Sequence, residues 1–342
     1  MKTVSIGVFA YNEERNLAQI LEALLNQECQ QVKIIELLVV SSASTDRTDE
    51  IVGFFADSYP IVRLIREPIR QGKAAAINGF LSAKNSSADL CIIASADIIP
   101  DPHAVERLAL ALSDSRVGMV GGRPVPVNKE DRFLGFVVQL QWKLHHLISL
   151  HNPKCGEMIA FQSNLAGSIP SESPVDEASL EAITAKRGLK IKYVPEATFI
   201  NRGPDTISDF ISQRRRIACG HRWLRKTEGY KVATGSMWAL LRALLSQLPH
   251  RPKEWIWTAG AISLEVSCRL LGFLDFYFRP RVHQAWQIAK STKQSFAADE
   301  LESVRMERNA ERPESAAWMP IPEHGEDDAK DKAYGASARR LQ

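Results

Sequence analysis

The stretch VSIGVFAYNEE, residues 4–14, contains the pattern that decides the fold. A largely apolar run of strand-forming residues ends abruptly in a polar, acidic segment. Three more short runs rich in Val, Ile and Leu follow at 34–40, 61–66 and 90–94, and helical patterns separate them. Continuous apolar strands that alternate with helices predict a mostly parallel, doubly wound α/β sheet. Such sheets bind ligands at the carboxyl ends of their strands, so we expect the chemistry in the loops that follow these runs.

The second half of the chain has a different pattern. The sequence predicts a long helix at about 132–150 and a further strand–helix stretch at 158–193. Three helical patterns follow, at 207–228, 235–248 and 253–278. None contains the roughly 18 uninterrupted apolar residues of a membrane-spanning helix. The last has charged and apolar residues on different faces, which favours either a helix lying in a membrane interface or packing on the domain.

The composition is that of an ordinary globular protein. Of the 342 residues, 45% are hydrophobic and 24% are charged. Wholly disordered, collagen-like and disulfide-scaffold classes are therefore excluded. The five cysteines are scattered, and no Cys/His cluster indicates zinc. This cysteine usage, together with an N-terminal sequence that does not read as a signal peptide, predicts a cytoplasmic protein.

The net charge of +3 is unevenly distributed along the chain. The segment from Arg202 to Lys231 has eight Lys and Arg against three Asp and Glu, whereas residues 293–342 have eight basic and eleven acidic residues. The basic concentration suits a diphosphate or an anionic membrane surface. No motif for nucleic-acid recognition is present, so we expect no nucleic-acid partner.

Two of the predicted loops have side chains suited to a nucleoside. In the first, the ring of Tyr11 can stack on a base while Asn12 and Glu13 hydrogen-bond to its edge. A helix N-cap at Asn12 is the alternative interpretation. The second loop begins with Ser41 and Ser42, and its alternative interpretation is a polar loop that caps a helix.

Two further loops suit a diphosphate. Lys73 follows a glycine at the start of a predicted helix, where the lysine charge and the helix N-terminus both favour a phosphate. Asp97 follows a buried strand, where a carboxylate is well placed to hold a divalent cation that bridges phosphates. Because a Gly-Lys helix start is common, this prediction depends on the combination of loops.

A pair of carboxylates and a cationic cluster lie further along the chain. Asp176 and Glu177 are adjacent, which suits the removal of a proton from a substrate hydroxyl. Gln213 and the arginines at 214–216 suit a pyrophosphate or an acidic head group. A solvated helix face is the alternative for the arginines.

In order and spacing, these features resemble the family 2 glycosyltransferases, which have the GT-A nucleotide-binding fold. The resemblance covers about residues 3–230 and implies a Rossmann-like, mostly parallel sheet flanked by helices. It implies roles for the following residues: Tyr11, Asn12, Glu13, Ser41 and Ser42 at the nucleoside, Lys73 near the nucleotide, Asp97 at a metal–diphosphate, Asp176 and Glu177 as candidate catalytic bases, and Gln213 with Arg216 at the diphosphate.

The chain departs from the family pattern at several of these positions. Ser41 and Ser42 stand where the family often has Asp, which affects recognition of the base or the ribose. Ser95 replaces the first Asp of the usual Asp-x-Asp. Asp97 alone would hold Mg²⁺ or Mn²⁺ weakly unless phosphate oxygens complete the shell. Ile217 replaces a tryptophan that lies near the acceptor in processive synthases, which argues against a processive polysaccharide synthase.

The resemblance also implies a domain organisation. Residues 1–230 would form the glycosyltransferase domain, with the nucleotide bound by about 1–126 and the acceptor and catalytic groups in about 127–230. Residues 231–292 would form an amphipathic helical region that associates with a membrane. The polar residues 293–342, rich in Ala and Glu, are predicted to be a disordered tail.

The expected function is that of an inverting glycosyltransferase. It would transfer a sugar from a UDP-, GDP- or dTDP-linked donor to a hydroxyl of a lipid or lipid-linked glycan, at the cytoplasmic face of a membrane. The alternative is a catalytically silent domain of the same fold that binds nucleotides or acts as a scaffold. A sugar-phosphate nucleotidyltransferase ranks lower, because the first loop lacks the glycines that such enzymes usually need.

Overall fold

A single eight-stranded sheet is at the centre of the part of the chain that the computed structural model describes, residues 1–247, 251–278 and 290–310. In sheet order β3-β2-β1-β4-β7-β6-β8-β5, all strands except β7 and β5 run in one direction. The strands are β1 (Lys2–Ala10), β2 (Val32–Ser42), β3 (Val62–Glu67), β4 (Leu90–Ser95), β5 (Ile98–Pro100), β6 (Val117–Pro126), β7 (Met158–Gln162) and β8 (Lys190–Asn201).

Helices cover both faces of this sheet. The described helices are α1 (Leu17–Leu25), α2 (Thr48–Ser58), α3 (Lys73–Ala83), α4 (Ala104–Ala111), α5 (Phe133–Ser149), α6 (Asp176–Lys186), α7 (Ile207–Glu228), α8 (Met237–Leu245), α9 (Pro252–Phe278) and α10 (Ala298–Ala310). Alternate residues of β1 enter different cores, because successive strand side chains point to opposite faces. Val8 packs with α1, α2 and α4 on one face, and Phe9 packs with α3 and α6 on the other. The predicted α/β class is confirmed.

The strand register brings the predicted loops to one edge of the sheet. Ala10 of β1 pairs with Ser41 of β2, and Phe9 pairs with Ser95 of β4. The three strands therefore end side by side, and the segments that follow them leave the sheet together. The interaction of these loops is a direct consequence of parallel pairing between buried apolar strands.

Helix α9 packs on α7 with its acidic residues Glu265 and Asp275 inward. Arg214 of α7 is bidentate to Glu265 of α9, with distances of 2.9 and 2.7 Å, and Arg215 pairs with Asp275. A Cβ on Gly272 would lie 2.7 Å from the Arg215 carbonyl oxygen, so glycine is needed for this close approach. None of the helices in the described ranges has the length and hydropathy to cross a membrane.

The structure corrects the predicted disorder of residues 293–342 in its first part. Helix α10 begins at Ala298, and Phe296 and Val304 are buried against Ile99 and Ile200. These apolar side chains give the segment a face that packs, despite its polar composition. The contacts place Met1–Val304 in one compact unit, and residues 311–342 of the predicted tail lie outside the described residues.

Gly7 provides a test of the packing beneath the site. A Cβ at this position in β1 would lie 2.8 Å from the ring of Phe80 in α3, so Gly7→Ala forces the ring to move. We expect a loss of about 1–3 kcal/mol in the free energy of unfolding, measured by urea denaturation.

Gly53→Ala in α2 is the matched control for this substitution. Nothing lies within 4 Å of a Cβ there, so replacing a helical glycine should be neutral or stabilise by up to about 1 kcal/mol. Equal stability changes in the two variants would show that Phe80 does not pack on Gly7 as described.

Candidate active site

A cleft of about 660 Å³ opens at the edge of the sheet where these strands end. It extends from the loop after β1 to the inner surfaces of α5, α8 and α9. The sequence-predicted residues that line it are Tyr11, Glu13, Ser42, Lys73, Asp97, Asp176, Glu177, Gln213 and Arg216. The fold thus brings together residues that are more than 200 positions apart in the sequence.

Asn12 and Ser41 are the two predicted nucleoside-binding residues that do not line the cleft. Asn12 has a left-handed backbone, with φ of 53°. Its side-chain oxygen accepts a 2.8 Å hydrogen bond from the Thr45 N–H, and its own N–H donates to Ser44 Oγ at 3.1 Å. Ser41 donates to the same Ser44 hydroxyl at 2.9 Å. The first and second loops are therefore fastened together.

This geometry excludes the interpretation of Asn12 as a helix cap. The α1 helix begins only at Leu17, with Asn16 as its N-cap residue. Glu13 is also bonded to the second loop, because its N–H donates to Thr48 Oγ1 at 2.8 Å. Polar side chains of the second loop thus fix the conformation of the first loop. The Tyr11 ring lies beside the cleft, with the Arg70 guanidinium 4.0 Å from the ring centre.

Lys73 lies between the paired carboxylates at the middle of the cleft. It begins α3, while Asp176 and Glu177 begin α6, so two helix N-termini meet here. The ammonium group forms a salt bridge with Glu177, lies 3.6 Å from Asp176 and donates to Ser95 Oγ at 3.1 Å. Burial would lower the pKa of Lys73, but the charges of Glu177 and Asp176 outweigh burial and raise it.

The same contacts separate the acidities of the two carboxyls. Burial raises the pKa of Asp176 to about 6, and the negative charge of Glu177 adds to the rise. Burial acts on Glu177 in the same direction, but the charge and hydrogen bond of Lys73 outweigh it and lower its pKa to about 2. Asp176 is therefore the carboxyl whose proton affinity suits a general base near neutral pH.

A second group of carboxylates surrounds Asp97. Burial raises the pKa of Glu13 to about 7 and that of Glu157 to about 8, and the charge of Asp97 adds to both shifts. Asn201 donates to Glu157 Oε2 at 2.7 Å, and the backbone at Glu157 is left-handed, with φ of 52°. Sequence reasoning missed Glu157, which precedes β7 in a segment without a recognisable motif.

The residues near Asp97 fit a divalent cation in donor type. Hard cations such as Mg²⁺ take carboxylate and phosphate oxygens, and Asp97, Glu13 and Glu157 supply carboxyl groups here. Within the described ranges, however, no three His, Cys, Asp or Glu side chains are arranged to hold an ion by themselves. Asp97 would therefore share an ion with oxygens of a bound diphosphate.

The arginines at 214–216 differ in their ion-pair partners and in whether they line the cleft. Arg214 and Arg215 pair with α9, and Arg214 also lines the cleft together with Gln213 and Arg216. The charge of Arg216 acts on Asp176 and opposes the rise of its pKa. Arg216, which the family pattern assigned to the diphosphate, thus lies at the cleft, as does Arg214.

Comparison with known proteins identifies the class to which this fold and cleft belong. Residues 5–167 match the model of the Glycosyl transferase family 2. This match, over a little less than half of the chain, confirms the resemblance seen in the sequence. The family match includes the loops after β1 and β2, Lys73 and Asp97, and ends before Asp176.

Individual relatives agree with this assignment. The probable glycosyltransferase YdaM of Bacillus subtilis is 25% identical over 65% of this chain and 56% of its own length. The dolichol-phosphate mannosyltransferase of Pyrococcus furiosus is 30% identical over 38% of this chain and 36% of its own length. The chain therefore spans about half of the length of the first of these relatives and about a third of the second.

A solved structure shares the fold. The mannosyltransferase PcManGT from Pyrobaculum calidifontis, determined in complex with GDP-Man and Mn²⁺, aligns with a TM-score of 0.58 and 21% identity. The alignment covers 81% of this chain and 87% of that one. The expected GT-A fold is confirmed.

Glu157 makes a testable contribution to the pH dependence of stability. Its pKa rises from 4.5 in the unfolded chain to about 8 in the folded protein. The protonated carboxyl therefore favours the native state at low pH, and this advantage is lost as the pH rises through 8. We expect the free energy of unfolding in EDTA to fall between pH 5 and pH 9, and Glu157→Gln to reduce that fall.

The exposed Glu22 provides the control for this measurement. Glu13 and Asp176 have raised pKa values too, so the informative quantity is the difference between each variant and the parent chain. Glu22→Gln should leave the slope unchanged. A parallel slope for Glu157→Gln would contradict the raised pKa of Glu157.

Proposed function

We propose that the chain is an inverting glycosyltransferase that transfers a sugar from a nucleotide sugar to a hydroxyl of a lipid or lipid-linked glycan. The donor would be linked to UDP, GDP or dTDP, and the reaction would take place at the cytoplasmic face of a membrane. One observation carries the proposal. The Lys73–Asp176–Glu177 cluster lines the same cleft as the loop after β1 and the apolar side chains of α8 and α9.

The proposed reaction is a single displacement at the anomeric carbon. Asp176 accepts the proton of the acceptor hydroxyl, and the acceptor oxygen forms a bond to the anomeric carbon from the face opposite the nucleotide. The bond between that carbon and the diphosphate oxygen breaks, and the electron pair leaves with the nucleotide. One base and one attack give an inverted configuration.

Positive charge near the diphosphate supports departure of the nucleotide. Arg216 and Lys73 both line the cleft, and the charges of both act on Asp176. Such fixed cations stabilise negative charge that develops in the transition state. A Mg²⁺ or Mn²⁺ ion held by Asp97 would add the same kind of stabilisation when bound.

The far end of the cleft supports an apolar acceptor. Leu240 and Leu244 of α8, together with Ile262 and Val266 of α9, line it. These helices continue the apolar surface outside the cleft, since Trp238, Leu245, Trp255, Ile256, Leu270, Phe273, Tyr277 and Phe278 are exposed. An exposed apolar patch of this extent is unusual on a soluble protein and marks an interaction surface.

The charges around this patch favour a lipid surface. Arg242, Arg251 and Lys253 are exposed at the α8–α9 connection, and the acidic groups Glu265 and Asp275 are turned inward to α7. Apolar side chains flanked by cations match an anionic bilayer, in which the former enter the acyl boundary and the latter contact phosphates.

The assignment of the base predicts an order of effects for two substitutions. Asp176→Asn removes the proton acceptor and should lower kcat by about 10²–10⁴-fold. Glu177→Gln retains it and should cost less, about tenfold. Transfer of radiolabelled sugar from UDP-, GDP- and dTDP-linked donors to membranes measures both.

The pH profile gives the same test a second readout. Since Asp176 must be ionised, kcat/KM should fall below about pH 6 in the parent enzyme. A larger loss with Glu177→Gln would make Glu177 the base. If neither transfer nor donor hydrolysis occurs with any donor, or both variants retain the biological role, the silent-domain alternative is correct.

Binding to lipid vesicles tests the apolar surface. Ile256 and Phe54 are each 71% exposed, on α9 and α2 respectively, so they form a matched pair. Ile256→Glu should weaken binding to phosphatidylserine-containing vesicles by at least about tenfold, because burial of such a side chain contributes about 1.5–3 kcal/mol.

Phe54→Glu should leave vesicle binding unchanged, as measured by flotation. Equal loss in both variants would indicate a nonspecific charge effect. Absence of vesicle binding by the parent protein would contradict the membrane proposal while leaving the catalytic one intact.

A further inference from the structure

Residues 291–304 lie across the glycosyltransferase domain beside the nucleoside loop, and we call this segment the strap. Its anchors are independent of one another. Phe296 is 4% exposed, its N–H donates to Gln19 Oε1 at 3.0 Å, and Gln19 Nε2 donates back to its carbonyl at 2.8 Å. Glu300 forms a 2.7 Å salt bridge with Arg202. These contacts hold the strap in place before its remaining side chains are considered.

Lys293 extends from the strap to the loop after β1. Its ammonium group donates to the backbone carbonyls of Tyr11 and Asn12, the latter at 3.2 Å, and to Glu13 Oε1 at 2.6 Å. It also lies 5.7 Å from the centre of the Tyr11 ring. One cation therefore contacts all three consecutive residues that the family pattern assigns to the nucleoside.

The geometry of these contacts points to a positioning role. A lysine ammonium has three N–H donors, and the three oxygen acceptors here account for them. Asn12 has the left-handed backbone described above. This conformation is energetically unfavourable for residues other than glycine, so contacts with the surroundings must stabilise it. Cationic hydrogen bonds to the carbonyls on both sides of this position supply such support.

We propose that Lys293 is a positioning residue for the nucleoside loop, and that the strap thereby sets the affinity for the nucleotide. The inference rests on the proposed function, since the loop is taken to bind a nucleoside diphosphate. Lys293 acts through Tyr11, Asn12 and Glu13, which it holds in the arrangement that receives the ligand. Undocking of the strap would weaken the donor site.

The independent anchors allow a clean test in the full-length chain. Lys293→Met keeps most of the apolar stem and removes the cation, while Phe296 and Glu300 remain to hold the strap. Calorimetric titration with UDP, GDP and dTDP, each with Mn²⁺, measures nucleotide affinity. We expect Lys293→Met to raise Kd by about tenfold or more, because hydrogen bonds to charged groups are worth about 1.5–3 kcal/mol.

Three further measurements separate positioning from a general effect on stability. Lys293→Arg, which restores a cation, should recover affinity to within about threefold, a difference of less than 1 kcal/mol. Lys33→Met, at an exposed lysine of β2, should change neither affinity nor melting temperature. In the transfer assay, Lys293→Met should raise KM for the donor while kcat stays within about threefold of the parent, again under 1 kcal/mol.

The failure of this inference is distinguishable from failure of the proposed function. Hydrogen exchange of residues 11–14 without nucleotide should be faster in Lys293→Met than in the parent chain. Unchanged exchange, unchanged affinity or tighter nucleotide binding would each overturn the positioning role, the last because it would mean that Lys293 occupies the ligand's place. If the parent chain binds none of the three nucleotides, the proposed donor site fails, and the exchange experiment still decides whether Lys293 holds the loop.

Discussion

The partly buried ion cluster of Lys73, Asp176 and Glu177 is the interaction on which the rest of the site depends. It joins the first residue of α3 to the first two residues of α6, which are separated by more than 100 positions in the chain. Two carboxylates that close together in a buried site would repel each other and take up a proton. Lys73 relieves this conflict unequally, because it lies closer to Glu177, to which it also donates a hydrogen bond, than to Asp176. The asymmetry leaves Asp176 as the group with a proton affinity near neutrality.

Ion pairs also determine the orientation of helix α9. The acidic residues of α9 pair with arginines of α7, so the helix buries its charged stripe and presents Phe273, Leu270 and other apolar residues outward. Ion pairs of this kind contribute little to stability once desolvation is counted. Their effect is to fix which face of the helix is outside. The apolar surface is consequently continuous with the apolar end of the cleft.

Much of the fold followed from local sequence patterns. The apolar run at 90–94 and the polar loops after it predict a parallel strand with a ligand site at its end, and β4 and Asp97 lie as expected. The end of the long helix at Glu228 was also predicted, since Gly229 follows it and adopts the left-handed conformation that ends helices. These features depend on neighbouring residues, which the sequence shows directly.

The remaining features depend on tertiary contacts that no local pattern records. Glu157 reaches the site because β7 pairs antiparallel with β4, so that Met158 lies opposite Ala94. Lys293 contacts Glu13 across 280 positions, from a segment whose composition predicted disorder. Periodicity separated the two faces of α9, but only the arginines of α7 determine which face is buried.

The stereochemistry of the product tests the central claim most directly. A panel of α-linked UDP-, GDP- and dTDP-sugars would be offered with membranes, and the anomeric configuration of the purified product read by proton NMR. A single displacement with Asp176 as base predicts a β-linked product. An α-linked product would require two displacements or a different mechanism, and would contradict the account.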